Sequence, residues 1–215
     1  MGDSLPSPIS HLPYPSMFIE LTEILRCPQP HEEGYLICGP VTMDGRDVVR
    51  GGLMCAACRA EYPILDRIAW FAPPDESSAG GLPPSELTAE AAATFLDLQG
   101  PGGYLLTVGS AGRLAPALVK LVPGVALAAV NPPNGVTPAL ALSVLRSPHA
   151  LPVKRHTVRG AIVGSGAAGG VWLEAAAGTV LSGLRIIVES EAAQPPGVVA
   201  LVRGAGVLVG ERRSI

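Results

Sequence analysis

The chain has 215 residues, 48% hydrophobic and 15% charged, with 26 Gly, 22 Pro and a formal net charge of −3. That composition excludes a disordered chain, and the slight acidity argues against general nucleic-acid binding. No uninterrupted apolar run of about 18 residues occurs, so no transmembrane helix and no membrane association are expected.

The opening sixteen residues, MGDSLPSPISHLPYPS, lack a basic n-region and an apolar h-region and read as a flexible arm rather than a signal peptide. Four Cys without an export signal predict the reducing cytoplasm. Helical spacing of Phe18, Leu21, Ile24 and Leu25, with Ser16 as N-cap, predicts a helix that delivers Cys27 and stops at Pro28. Residues 34–42 and 47–54 read as strands joined at the Asp44-Gly45 turn signal. Shorter extended pieces follow at 61–64 and 68–71, around Asp66. These elements define a first module over 17–74, and residues 75–84 have the composition of a linker.

A second unit is predicted over 85–215. Ser85 caps a helix to about Leu98. A buried strand at 103–108 leads through Gly109-Ser-Ala-Gly112 into a helix ending near Val122. Further apolar strands are read at 124–130, 142–145, 160–163, 184–188, 198–202 and 207–209, with a helix over 167–181 and a closing hairpin around Gly204–Gly206. Continuously apolar strands alternating with helices predict a mostly parallel sheet covered on both faces. The expected fold is thus an α+β zinc ribbon followed by an α/β Rossmann-like, mostly parallel sheet of about seven strands.

The metal reading rests on ligand spacing. Cys55-Ala-Ala-Cys58 is a CxxC knuckle, in which both thiolates point at one ion. The second pair is Cys27 with His31 or Cys27 with Cys38, unless His11, His149 or His156 reach in. His31 is preferred, because knuckle ligands lie close in sequence and the intervening Pro residues stiffen the turn; Cys38 reads as a small buried hydrophobe of a strand. The set Cys27, His31, Cys55 and Cys58 is therefore the candidate zinc site. Redox chemistry at the CxxC pair is disfavoured, since no helix begins there to lower a thiol pKa.

The residues Ile24-Leu25-Arg26-Cys27-Pro28, Cys55-Ala-Ala-Cys58 and Glu61-Tyr62-Pro63-Ile64-Leu65-Asp66-Arg67-Ile68 carry a resemblance. The stretch from about 19 to 73 resembles the zinc-ribbon family of methyltransferase-activator subunits, a module also found fused to methyltransferases. Arg67 and Ala69 stand where that family has Gly and Pro, and His31 replaces a second Cys in the first knuckle. The second unit resembles class I methyltransferases that use S-adenosylmethionine. Leu105-Leu-Thr-Val-Gly109-Ser-Ala-Gly112 occupies the place of the Gly-rich first motif, Leu151-Pro152-Val153 with Gly160–Val163 matches the passage into the fourth strand, and Gly183–Glu189 matches the fifth.

That resemblance makes Gly109, Ser110, Gly112 and Asn131 the candidate cofactor contacts. The carboxylates that grip the cofactor in the family are absent: Thr107 precedes the first Gly, Asn131 follows the second strand, and Arg159-Gly160 lies where the fourth-strand Asp is usual. Asp97 and Glu174 are the acids that could replace them. No catalytic constellation is legible. His149 and His156 are expected at the carboxyl side of the sheet, and Lys154, Arg155, His156 and Arg159 form a small basic cluster. Two functions follow: a non-catalytic scaffold or activator, which the missing acids favour, or an active S-adenosylmethionine-dependent methyltransferase with an atypical cofactor site. A protein partner or homo-oligomer is expected, because so few charges cannot cover so much apolar surface.

Overall fold

The computed structural model describes residues 17–73 and 86–213. The predicted arm, the linker and the caps Ser16 and Ser85 lie outside the described residues. Four strands come first: β1 (Leu36–Asp44), β2 (Asp47–Cys55), β3 (Glu61–Leu65) and β4 (Ile68–Trp70), an antiparallel meander. Gly45, with φ +61°, takes the first place of the two-residue β1–β2 loop, a position that favours Gly because its φ is positive.

The segment before the meander differs from expectation. Residues Ile19–Glu23 make a 3-10 turn instead of a longer helix, and Phe18 bridges to Asp47 in extended conformation. Pairing on the β2 end holds it: Val48 N–H donates to Met17 O at 2.8 Å and Ile19 N–H to Arg46 O at 3.1 Å. The apolar spacing is still used, since Met17, Leu21 and Leu25 are fully buried. Burial set the contacts, and backbone pairing overrode the helix.

From Ala89 the chain alternates. Helix α1 (Ala89–Leu96) is capped by Thr88, whose Oγ1 accepts from Ala91 N–H at 3.2 Å. Strand β5 (Tyr104–Val108) leads to a 3-10 turn (Gly109–Leu114) and α2 (Ala115–Leu121). Then come β6 (Ala126–Val130), β7 (Leu142–Arg146), β8 (Val158–Val163), α3 (Gly170–Thr179), β9 (Val180–Val188), β10 (Val198–Gly204) and β11 (Val207–Arg212). In the last hairpin Ala205 and Gly206 both have positive φ, as a two-residue turn between twisted strands requires.

All eleven strands form one sheet, in the order β1-β2-β3-β4-β7-β6-β5-β8-β9-β11-β10. Strands β5 to β9 are parallel, and the order reverses between β5 and β8, the Rossmann-like arrangement. Strand β11 inserts antiparallel between β9 and β10. The expected mostly parallel sheet is present, but with eleven strands it is wider than the expected seven or so. Strand β4 runs parallel to β7, with Ile68 opposite Val144, Ala69 opposite Leu145 and Trp70 opposite Arg146, so the meander extends the parallel sheet.

The sheet separates two apolar cores. Leu105, Leu127, Ala129, Ile162 and Ile187 face one core with α1 and α2. Leu106, Ala128, Val130 and Ile186 face the other, which holds Leu173 and Ala176 of α3 together with Met17, Leu21 and Leu25. No helix connects β6 to β7 or β7 to β8. The leading segment of the chain therefore shares the core where a crossover helix would ordinarily pack.

Candidate metal centre

Cys27, His31, Cys55 and Cys58 each offer one donor atom, and the four atoms lie within 4.8 Å of one another. Cys27 Sγ is 3.7 Å from Cys58 Sγ, and Cys55 Sγ is 3.4 Å from His31 Nε2. Bonds of about 2.3 Å from zinc to sulfur and about 2.0 Å to nitrogen make tetrahedral edges of about 3.8 and 3.5 Å. The donor set and its spacing thus fit a tetrahedral ion, and the four residues could hold a metal. Cys38, the alternative ligand, sits opposite Leu53 in the β1–β2 ladder and is not in this group. His149 and His156 do not join it either.

Local backbone builds each half. Cys55 ends β2; its N–H donates to Ala60 O at 2.9 Å, and its carbonyl accepts from Arg59 N–H at 3.0 Å, closing the CxxC turn. Cys27 follows a short splice into the rest of the molecule. Arg26 N–H donates to Pro152 O at 3.0 Å, Lys154 N–H donates to Ile24 O at 2.8 Å, and Leu25 bridges to Val153. His31 is oriented through Nδ1, which lies 2.7 Å from Glu32 O and leaves Nε2 toward Cys55.

Thiol electrostatics differ along the cluster. Burial raises the Cys55 thiol, but the N–H groups of Cys58 and Ala57 and the neighbouring thiols outweigh it and hold its pKa at about 7. Burial pushes Cys27 up, opposed by the hydroxyl of Tyr62 at 3.1 Å. That ring is locked against Phe71, with centroids 4.9 Å apart. Sequence reasoning missed Tyr62 as a neighbour of the site. An aromatic residue with a hydroxyl just after a CxxC knuckle was the available signal.

The second candidate site is the carboxyl rim of the parallel strands. Gly109, with φ +63°, begins the turn after β5. A Cβ on Gly112 would stand 2.8 Å from Pro132 Cα, and one on Gly164 would strike Ser110 and Ala111, so both glycines permit close packing over the turn. Asn131 is engaged by the next strand end: its Nδ2 donates to Ser147 O at 2.6 Å and its Oδ1 accepts from Ser147 N–H at 2.8 Å. Ser110 Oγ donates to Glu189 at 3.4 Å, and the buried Glu189 carboxylate pairs with Arg113 at 2.7 Å. Arg113 also donates to the carbonyls of Ser110 and Leu87. Arg113 and Glu189 went unrecognised in the sequence, although a lone acid ending an apolar strand marks a position that needs a partner.

The other candidates are dispersed. Asp97 caps α1 at the opposite, amino end of β5 and pairs with Arg185 at 3.0 Å, so it cannot replace an acid at the rim. Glu174 lies on the exposed side of α3, near Arg155, and not at the rim. His149 follows β7, but His156 lies at the amino end of the sheet, where its N–H donates to Gly178 O; the expectation that both occupy the carboxyl side is corrected for His156. The basic cluster also separates. Lys154 Nζ donates to Glu23 O, and Arg159 staples the carbonyls of Gln99, Gly100 and Gly102.

No protein-family model and no curated protein matches the chain. Solved structures do. The complex of a Haloferax volcanii methyltransferase activator with a methyltransferase is similar at 17% identity and TM-score 0.38, over 47% of this chain and 50% of that one. The antibiotic-resistance methyltransferase Kmr is similar at 14% identity and TM-score 0.39, over 60% and 95%. The T. thermophilus 16S rRNA methyltransferase RsmC, in complex with AdoMet and guanosine, is similar at 12% identity and TM-score 0.34, over 57% and 38%. The chain spans about half the length of the first of these. The strand order of the chain itself defines its fold.

Proposed function

We propose that this chain is a zinc-binding scaffold or activator: a zinc ribbon over residues 17–74 joined to a degenerate, non-catalytic methyltransferase-like unit over 85–215. The ribbon reading is supported by the convergence of three thiols and one imidazole at tetrahedral spacing. Zinc would be held by Cys27, His31, Cys55 and Cys58, and its role there is structural, because four protein donors leave no open position for a reactant.

One observation carries the non-catalytic reading. The rim residues that would meet a nucleoside cofactor are engaged with the protein itself: both polar atoms of the Asn131 side chain bond Ser147, and Ser110 faces Glu189. A ribose diol is gripped by the two acceptor oxygens of a carboxylate, whereas this amide has a single oxygen, already accepting from Ser147 N–H and turned toward the next strand end. Exposed apolar side chains on β1, among them Ile37 at 43% and Met43 at 39%, support a protein partner or a second copy, at a strand that is the sheet edge among the described residues.

Calorimetry with S-adenosylmethionine and metal analysis test the two halves separately. The expected result is about one zinc per chain and no saturable heat with the cofactor. Micromolar binding of S-adenosylmethionine would restore the alternative, an active methyltransferase, whatever the metal content.

A further inference from the structure

Toward the amino end of the sheet, a pocket of about 300 Å³ opens along α3. Arg155 enters from the connection before β8, and Arg212 enters from the end of β11. Val171 and Pro196 supply an apolar wall, Gly178 lies against the Arg155 guanidinium, and the acids nearby are Glu174 in the lining and Glu33, whose carboxylate accepts from Arg155 N–H at 3.2 Å.

Arg212 is 6% exposed. Its Nη1 donates to Pro196 O at 3.0 Å, while its Nε is buried without a partner. A buried guanidinium N–H without a protein acceptor is costly to leave unmet, which favours an anion beside this side chain. Among the described residues, neither Arg155 nor Arg212 forms an ion pair.

The obvious duty for two arginines beside the end of a helix is to cap its carbonyls, and that duty is already filled. Ala176 O accepts from Thr179 Oγ1, Ala177 O from Val180 N–H, Gly178 O from His156 N–H and Thr179 O from Thr157 N–H. The guanidinium donors are therefore available to something else. Two planar, permanently charged forks around a small cavity match an oxyanion.

We propose that this pocket binds a small molecule bearing a phosphoryl or carboxylate group, held by Arg155 and Arg212, with a short apolar portion against Val171 and Pro196. The site is independent of the metal cluster and of the rim.

The test titrates the full chain with inorganic phosphate and, separately, with acetate, at constant ionic strength, and follows the thermal midpoint. The expected result is a saturable rise, half-maximal at about 1 mM for the preferred anion. A stronger response to phosphate assigns a phosphoryl ligand, and a stronger response to acetate a carboxylate. Arg155→Ala, at an exposed side chain, is expected to keep the fold and weaken the response at least about tenfold. Arg212→Met should abolish it; if that variant is unstable, Arg155→Ala decides. A response to neither anion, or one unchanged in Arg155→Ala, overturns the proposal.

Discussion

Tyr62 and Thr107 show how single buried hydroxyls act in opposite ways. Tyr62 Oη sits 3.1 Å from Cys27 Sγ and is placed to donate to a thiolate there. Outer hydrogen bonds of this kind orient a metal ligand. Tyr62→Phe is therefore expected to leave the fold intact and weaken zinc retention about tenfold, read by competition with a chelator. Cys55→Ser, at a fully buried thiol of the proposed zinc site, is expected to release the metal and lower the melting temperature sharply; an unchanged midpoint with no metal in the parent protein would remove the zinc reading. Thr107 Oγ1 is buried on β5 with no partner among the described residues. Thr107→Val keeps the shape and removes the unsatisfied hydroxyl, so a gain of about 1 kcal/mol in denaturant unfolding is expected. The grouping of Cys27, His31, Cys55 and Cys58, which could hold a metal, was legible because knuckle spacing is local. The pairing of Arg113 with Glu189, 76 positions away, carried no such signal.

Elements were legible where their signals were strong. Strands β5 to β11 each contain a short apolar run, and each falls within a few residues of its expected place. The first helix was misread. Apolar residues at 18, 21, 24 and 25 have helical spacing, but the chain there is held between Asp47 and Val153 by backbone bonds across the fold, and only five residues turn. The 3-10 turn after β5 is also set by packing at one contact. Gly112 lets Pro132 approach, and Gly112→Ala must displace backbone as well as the proline ring. A loss of about 1–3 kcal/mol is expected for Gly112→Ala by thermal or chemical unfolding. A variant as stable as the parent would show that the turn is not packed as described.

At the scale of the whole molecule, the β4–β7 ladder and the splice of Ile24–Arg26 onto Pro152–Lys154 join the two halves in one sheet and one core. Scanning calorimetry is expected to give a single cooperative transition, shifted down as a whole when a chelator is added. Two separate transitions, only one of them sensitive to chelator, would contradict that coupling. Light scattering at high concentration is expected to show a dimer or larger species, or a co-purifying partner; a clean monomer that binds nothing would remove the interaction role. The sequence by itself determined the strands, the closing hairpin and the knuckle spacing, because turn chemistry, apolar runs and ligand spacing are properties of short stretches. The tertiary structure alone decided that the β1–β4 meander extends the parallel sheet, that Asn131 bonds Ser147, and that Arg155 and Arg212 share a pocket. Each of these joins residues distant in the chain, and no local preference encodes which distant edge, carbonyl or charge will be met.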